Sequence, residues 1–254
     1  MTDDFKRGLI LGLSMQPLCV TAPAPRPVID ISFNGNMINT GTDSAVTAAY
    51  KGDTPVYTDG YGGVKCWAAT TFTLVTIGGC KKYLSGDFTI IFRFRLNDTG
   101  LAPFYGLRRM VWFNNTLDGL DYFNGTEIGF TGTVTTHAVT TNKINFGTNS
   151  VEASAHGTIN RADGIWHTVI VRRSGVNVSM LVDDELATGT YPSTNMVFSD
   201  YIRLSGTNAI PVDAYGNITD SSKCDTEGFS LNGYIQGLKV FDKVLSNSEI
   251  ALVI

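Results

Sequence analysis

The sequence carries little charge, and it has no excess of basic residues. Only 17% of its 254 residues are charged, and the formal net charge is −4. Nucleic-acid-binding domains usually present a basic stripe, so this balance argues against a nucleic-acid partner. The sequence also lacks an apolar run of the length that spans a membrane, and it lacks an internal repeat. We therefore expect neither a membrane-embedded protein nor a solenoid.

Glutamate is scarce, which bears on catalysis. The five glutamates lie at least 22 residues apart, the closest two being Glu227 and Glu249. Retaining glycosidases hold two carboxyl groups about 5 Å apart, and in jelly-roll enzymes both come from one short motif on a strand. None of the three histidines neighbours a Ser or Cys nucleophile motif. We expect a protein that is not an enzyme.

Cysteine is also infrequent, and its spacing matches no zinc site. The four cysteines are Cys19, Cys66, Cys80 and Cys224. Free cysteines commonly behave as small buried hydrophobic residues, which is the reading we favour. A Cys66–Cys80 disulfide is the alternative that the sequence leaves open.

What the sequence has in quantity is glycine, with 27 residues, and alternating apolar patterns. One such pattern follows Ser85-Gly86-Asp87 and places large apolar side chains at every second position: Phe88, Ile90, Phe92, Phe94 and Leu96. An apolar strand face of this size has to be covered by a second sheet. The pattern therefore predicts a β-sandwich.

A hairpin over residues 163–189 organises the chain. Its first strand is predicted from Trp166, with His167, Val169, Val171 and Arg173 on one face. Ser174-Gly175 is predicted as the two-residue turn, because glycine supplies a positive φ. The return strand should bury Val176, Val178, Met180 and Val182 before a second tight turn at Asp183-Asp184.

This hairpin, DGIWHTVIVRRSGVNVSMLVDDELATG, resembles the centre of laminin-G-like domains of the concanavalin-A-like superfamily. The Ser-Gly-Asp-Phe-Thr opening at 85–89 and the closing segment GYIQGLKVFDKVLSNSEI resemble the same family. Asp184 stands where that family usually has glycine, so we expect Asp184 to take the left-handed conformation. The resemblance implies an all-β, two-sheet antiparallel jelly-roll β-sandwich over residues 28–254.

Further strands are predicted between these landmarks. Their expected positions are 28–33, 109–113, 126–130, 134–140, 143–146, 151–155, 201–206 and 231–241. After the last strand, Ser246 and Glu249 have the spacing of a capping box, which predicts a short C-terminal helix with Ile250 and Val253 facing inward.

The first 27 residues differ in character from the rest. In residues 1–16, Phe5, Leu9 and Leu13 form an apolar stripe at helical spacing, which predicts a helical or extended arm. The apolar run is short and two acids precede its basic pair, so we expect a retained arm, not a cleaved secretory signal. Residues 17–27 contain four prolines and are predicted to be a semi-rigid spacer.

Calcium is the one cofactor that the resemblance suggests, and the sequence requires none. Related jelly rolls bind it through an acid on the first strand and acids in the last-strand motif; here Asp30 is present, but Gln236 and Gly237 replace the latter. The loop 207–230 offers oxygen ligands that suit Ca²⁺: Asp213, Asn217, Asp220 and Asp225. The alternative is a solvated acidic loop.

Sugar binding is suggested by aromatic residues in or next to predicted loops. Those residues are Trp112, Tyr122, Phe123, Tyr191 and Tyr215. Amphipathic rings commonly serve recognition, although ordinary packing remains the alternative for each of them. Trp67 and Trp166 are expected in the core.

The arm, DDFKRGLILGLSMQPL, resembles structural proteins of tailed bacteriophages. That resemblance implies a virion surface protein: a capsid decoration, a head fibre or a tail appendage. It would dock on other virion proteins through residues 1–20 and display a lectin-like domain toward host-surface glycans. A homo-oligomer is compatible with this role. The alternative is a free or secreted carbohydrate-binding module.

Overall fold

A computed structural model of the chain describes residues 23–52, 54–69, 73–96, 108–114, 125–132, 139–148, 155–159, 161, 163–190, 201–204 and 233–254. These residues form two antiparallel β-sheets packed face to face, with two single-turn helices, α1 Lys81–Leu84 and α2 Asn247–Ile250. The predicted all-β, two-sheet sandwich is confirmed.

The first sheet, sheet A, has eight strands. They are β1 Ile29–Ile31, β3 Val56–Asp59, β4 Lys65–Ala69, β6 Phe88–Leu96, β11 His167–Ser174, β12 Asn177–Val182, β13 Glu185–Thr190 and β15 Gly233–Phe241. Their order across the sheet is β13-β12-β11-β6-β15-β4-β3. β1 pairs with the C-terminal half of β15, while β4 pairs with its N-terminal half.

The second sheet, sheet B, has seven strands. They are β2 Thr47–Gly52, β5 Thr73–Gly78, β7 Arg108–Asn114, β8 Gly125–Gly132, β9 Val139–Thr148, β10 Ala155–His156 and β14 Tyr201–Leu204. Their order is β10-β9-β8-β7-β14-β5-β2.

Two predicted strands in sheet B are wrong in their bounds. The segments 134–140 and 143–146 were expected as separate strands, but a single strand, Val139–Thr148, runs through the Thr141-Asn142 pair. Residues 140–143 lie at a register shift in the pairing with β8, but Val139 and Ile144 on either side both pair with β8, so one strand runs through. The strand expected at 151–155 is described only as Ala155–His156.

The core lies between the sheets and follows the predicted alternation. All five apolar residues of β6 that point inward are buried, as are Val169 and Val171 of β11. Sheet B faces them with Val75, Ile77, Ile202 and Leu204. Trp67 is fully buried, and its ring centre lies 5.9 Å from that of Phe33. The expectation that Trp67 belongs to the core is confirmed.

The central hairpin differs from its prediction by one residue. Ser174 pairs with Asn177, so the turn residues are Gly175 and Val176. Gly175 has a φ of +58°, and Val176 is 40% exposed at the turn, so the prediction that Val176 is buried is wrong. The turn at 183–184 is confirmed, but Asp183, with φ 53°, takes the left-handed conformation expected for Asp184.

Part of the outer face of sheet A is apolar and covered by α2. Ile91 and Ile170 pack there against Leu245 and Ile250, so β11 is buried on both faces. Ser246 Oγ accepts a hydrogen bond from Glu249 N (3.2 Å), and Glu249 Oε2 accepts one from Ser246 N (2.8 Å), which confirms the capping box.

Cys66 and Cys80 are both buried, and they are not joined in a disulfide. Cys19 and Cys224 lie outside the described residues. No helix in the described part of the chain is both long and apolar enough to cross a membrane.

Candidate functional site

Most of the residues predicted to bind ligands lie outside the described residues. This applies to Tyr122, Phe123, Tyr191 and Tyr215, to Asp213, Asn217, Asp220 and Asp225, and to Phe5, Leu9 and Leu13 of the arm. Trp112 was placed next to a loop, but it lies inside β7. Its backbone pairs with Arg203 of β14 on one side and with Glu127 of β8 on the other.

A different set of aromatic residues comes together on the outer face of sheet A, where the rings are exposed or partly exposed. Tyr234 of β15 lies directly opposite Arg95 of β6 and opposite Ala68 of β4. Trp166 precedes β11 and lies beside Arg95, because the next residue, His167, pairs with Phe94. The antiparallel registers therefore bring Trp166, Arg95 and Tyr234 into one row.

Arg95 contacts both rings of this row. Its guanidinium carbon lies 4.4 Å from the ring centre of Tyr234 and 5.4 Å from that of Trp166, and the two ring centres are 6.3 Å apart. Trp166 is only partly buried, so its expected place in the core is wrong. Side chains alternate along a strand, and Trp166 falls on the outer side because His167 points inward.

The neighbouring row repeats the arrangement. Arg93 lies two residues before Arg95 on β6, and its guanidinium carbon is 4.8 Å from the ring centre of Tyr61, which is 52% exposed. Arg93 Nη2 also lies 3.5 Å from the carbonyl oxygen of Ile254. We call Tyr61, Arg93, Arg95, Trp166 and Tyr234 the arginine–aromatic platform.

Tyr61 is held in place by a side chain from the last strand. The Gln236 amide accepts a hydrogen bond from Tyr61 N through Oε1 (2.7 Å) and donates one from Nε2 to Tyr61 O (3.1 Å). A Cβ on Gly60 would lie 2.6 Å from the backbone oxygen of Val64 and 2.4 Å from Gln236 Oε1, so this close approach requires glycine. Gly237, with φ 59°, forms a β-bulge directly after Gln236. Bulges re-aim neighbouring side chains.

Gln236 and Gly237 stand at the two last-strand positions where the resemblance implies calcium-binding acids. Asp30, the other acid of that calcium site, pairs with Lys239 across the strands, and burial raises its pKa against the attraction of Lys239. Within the described ranges, no three His, Cys, Asp or Glu side chains form a group that could hold a metal ion. The described residues therefore do not fit the calcium site that the resemblance suggested. Calcium binding by the loop 207–230 stays a prediction, because that loop lies outside the described residues.

The position of Trp166 is fixed by a polar cluster beneath it. His167 is 1% exposed; its Nδ1 lies 2.7 Å from Asp183 Oδ2, and its Nε2 lies 2.9 Å from Asp163 Oδ1. Carboxylates only accept hydrogen bonds, so a ring with hydrogen on both nitrogens satisfies both contacts. Asp183 Oδ1 also accepts from Thr168 N (2.8 Å). Trp166 thus lies within a segment pinned at Asp163 and at His167.

The same cluster extends to the edge of the sandwich. Buried Arg161 donates from Nη1 to Asp183 Oδ2 (3.2 Å) and from Nη2 to Val182 O (3.1 Å). Glu185 accepts hydrogen bonds from Thr158 N and from Thr158 Oγ1 (2.7 Å). These contacts join β13 of sheet A to the segment that follows β10 of sheet B, so the sandwich is closed along this edge.

The sequence analysis predicted neither the His167 cluster nor the Gln236 clamp. The Asp-Gly-Ile-Trp-His motif did contain the residues of the His167 cluster. Asp163 and His167 are the ends of that motif, and they hydrogen-bond each other. Trp166 stands between them and faces outward. The Gln236 clamp had no sequence signal, because its partner Tyr61 is 175 residues away.

Comparisons with known proteins agree with the fold. Residues 137–243 match the family model of the laminin G domain. The binding domain of botulinum neurotoxin serotype C1 aligns with a TM-score of 0.55 at 13% identity, over 90% of this chain and 51% of that chain. The binding domain of botulinum neurotoxin DC in complex with SialylT aligns with a TM-score of 0.57 at 12% identity, over 90% and 50%.

A third structure matches this chain over nearly its whole length. Domain 4 of AbnA, a GH43 extracellular arabinanase from Geobacillus stearothermophilus, in complex with arabinotriose, aligns with a TM-score of 0.57 at 14% identity, over 89% of this chain and 96% of that chain. This chain spans only about half of the toxin domains. No curated protein matches the sequence. The fold is a β-sandwich of the laminin G type.

Proposed function

We propose that this chain is a non-enzymatic adhesion protein that binds glycans through the arginine–aromatic platform. The observation that carries the proposal is the contact of Arg95 with Trp166 and Tyr234 on an uncovered sheet face. Aromatic rings stack on the apolar faces of sugars, and arginine offers five N–H donors for hydroxyl groups. Tyr61 and Arg93 extend the same surface by a second pair.

The platform is also preorganised, which favours affinity because little side-chain freedom is lost on binding. Gln236 holds the turn that carries Tyr61, and the His167 cluster holds the segment that carries Trp166. Neither Arg93 nor Arg95 forms an ion pair with an acidic side chain among the described residues. Apart from the contact of Arg93 Nη2 with Ile254 O, no hydrogen bond from either guanidinium to a described residue competes with a ligand.

The proposed absence of catalysis is supported by the state of the one described His–carboxylate cluster. His167 is almost completely buried beneath Trp166, and both ring nitrogens are engaged by carboxylates. A substrate cannot reach this ring without unfolding the segment. The arrangement fits a structural role, in which the cluster positions the platform.

We further propose that the protein is displayed on the surface of a bacteriophage virion, where residues 1–16 dock on another virion protein. The support is the phage-like sequence of the arm and its stripe of Phe5, Leu9 and Leu13. The second candidate is a free or secreted carbohydrate-binding module, which the similarity to a domain in complex with arabinotriose favours. Leu9→Asp should abolish particle association only if the virion role is correct.

The glycan proposal is tested with the full chain on a glycan array, followed by calorimetry with the glycan that binds best. We expect Trp166→Ala and Tyr61→Ala to weaken binding at least tenfold, the loss that about 1.4 kcal/mol produces. Tyr50→Ala is the matched control, because Tyr50 is an exposed aromatic residue outside the platform. If both platform variants bind like the original chain, the platform is not the site.

A further inference from the structure

The two long edges of the sandwich differ. On one side β10 packs against β13, and the Arg161 and Glu185 contacts close the edge. On the other side the last strands of the two sheets are β2 and β3, and a groove of about 520 Å³ lies between them. This edge groove is defined by Met37, Ile38, Val46, Tyr50, Pro55 and Tyr57, with small polar residues between them.

The edge groove presents apolar side chains to solvent. Ile38 is 65% exposed and Tyr50 is 44% exposed, while Met37 and Tyr57 pack partly against the core. None of the described residues that line the groove is charged. Exposed apolar surface of this kind marks a place where another segment binds.

The N-terminal part of the chain reaches the domain along the wall of this groove. Pro27 O accepts a hydrogen bond from Thr42 N (3.0 Å), and Val28 O accepts one from Asp43 N (3.3 Å). A Cβ on Gly41 would lie 2.3 Å from Val28 O, so only glycine allows this approach. The following residues, Ser44 and Val46, line the groove itself. The described end of the spacer, residues 23–27, therefore joins the domain next to residues that line the groove.

We propose that the arm, residues 1–16, binds in the edge groove of its own chain before the protein docks on a particle. Phe5, Leu9 and Leu13 share one face of a helix, and a helix with such a face binds in an apolar groove. The ten residues from Leu13 to Pro23 span roughly 30 Å when extended like polyproline, which is ample for a return to the groove. In this position the groove would cover the apolar stripe of the arm, which promotes aggregation when it is exposed to solvent.

This inference goes beyond the proposed function, because it concerns the protein before assembly and does not depend on a glycan or a virion. Docking on a particle would then exchange one apolar partner of the arm for another. The charged residues of the arm, Asp3, Asp4, Lys6 and Arg7, would stay in water in both states.

Hydrogen exchange of the full chain, read by mass spectrometry over residues 36–58, tests the proposal. We expect Leu9→Asp to accelerate exchange in this region by roughly tenfold, the factor that about 1.4 kcal/mol of lost stabilisation produces. Ile38→Asp should release the arm equally, with faster exchange in residues 1–16. Leu186→Asp is the matched control, because Leu186 is equally exposed but lies on the opposite edge strand.

Unchanged exchange at the groove in Leu9→Asp would overturn the proposal. Protection that rises with protein concentration, together with a dimer in light scattering, would also overturn it, because the arm would then occupy a second copy. Loss of particle association in Leu9→Asp is measured separately and concerns the virion role alone.

Discussion

Arg95 and Tyr234 are direct cross-strand partners on β6 and β15, and the guanidinium carbon lies 4.4 Å from the ring centre. The pair lies on an outer sheet face, beside partly exposed Trp166 and next to Arg93 and exposed Tyr61. At the other end of the same face, α2 covers Ile91 and Ile170. One sheet face therefore serves two purposes: a covered half that stabilises the fold and an open half that can bind.

The first prediction concerns Arg95. Arg95→Ala should weaken glycan binding by about tenfold or more, because it removes both the N–H donors and a cation–π contact worth roughly 0.5–2 kcal/mol. Calorimetry with the best array ligand measures the change. Arg26→Ala is the control, since Arg26 is exposed and lies in the segment before β1. Equal affinity of the two variants would exclude Arg95 from the site.

The second prediction concerns Gln236. Gln236→Ala removes both hydrogen bonds to the Tyr61 backbone, so we expect about 1–3 kcal/mol of lost stability and a loss of affinity as large as that of Tyr61→Ala. Denaturant unfolding and calorimetry measure the two effects. Gln236→Glu keeps the acceptor and loses the donor, so its affinity should fall between that of the original chain and that of Gln236→Ala. A Gln236→Ala variant with full affinity would mean that the turn needs no clamp.

The strands could be predicted from the sequence, because their signal is local. The alternation from Phe88 to Leu96 and the hairpin motif were enough to place β6 and β11 in the core. The turn was misplaced by one residue because glycine suits either turn position, and only the pairing of Ser174 with Asn177 decides. Val139–Thr148 was divided at residues 141–142, which lie at a register shift, and only the pairing of Val139 and Ile144 with β8 shows that one strand continues.

The platform could not be predicted, because its members come from four segments far apart in the sequence. Tyr61, Arg95, Trp166 and Tyr234 meet only through the strand order β11-β6-β15-β4. Aromatic residues near loops were the natural candidates, but most of them lie outside the described residues. Trp166 was expected in the core, but side chains alternate along a strand, and Trp166 points outward because its neighbour His167 points inward.

The third prediction compares two tryptophans. Trp67→Ala should cost about 3–5 kcal/mol, as for large aromatic residues in cores, whereas Trp166→Ala should cost only about 1–2 kcal/mol because Trp166 is partly exposed. Trp67→Phe should be mild, since Trp67 Nε1 has no hydrogen-bond partner among the described residues. Thermal or denaturant unfolding measures the loss of stability in the three variants and ranks them. A Trp166→Ala variant as unstable as Trp67→Ala would contradict the outward orientation of Trp166.

The fourth prediction is a loss of stability in acid. Burial works to raise the pKa of Glu185, but hydrogen bonds from Thr158 and Ile159 and the charge of Arg161 bring it below its ordinary value of 4.5. Burial is likewise outweighed at Asp163, where the N–H of Ile165 and the His167 ring lower the pKa below 3.8. A carboxyl group whose folded pKa is depressed binds protons more weakly in the folded state, so acid favours the unfolded chain.

The contribution of both groups is therefore complete above their ordinary pKa values and decreases as the pH falls from about 4.5 through the lower folded values. Urea unfolding at a series of pH values between neutral and acid should show this decline. Glu185→Gln cannot titrate, so it should be less stable at neutral pH and should lose less stability on acidification. Arg161, which also contacts Asp183 and Asp184, keeps partners in that variant, so the fold should persist. A pH dependence identical to that of the original chain would show that Glu185 does not close the edge between β13 and β10.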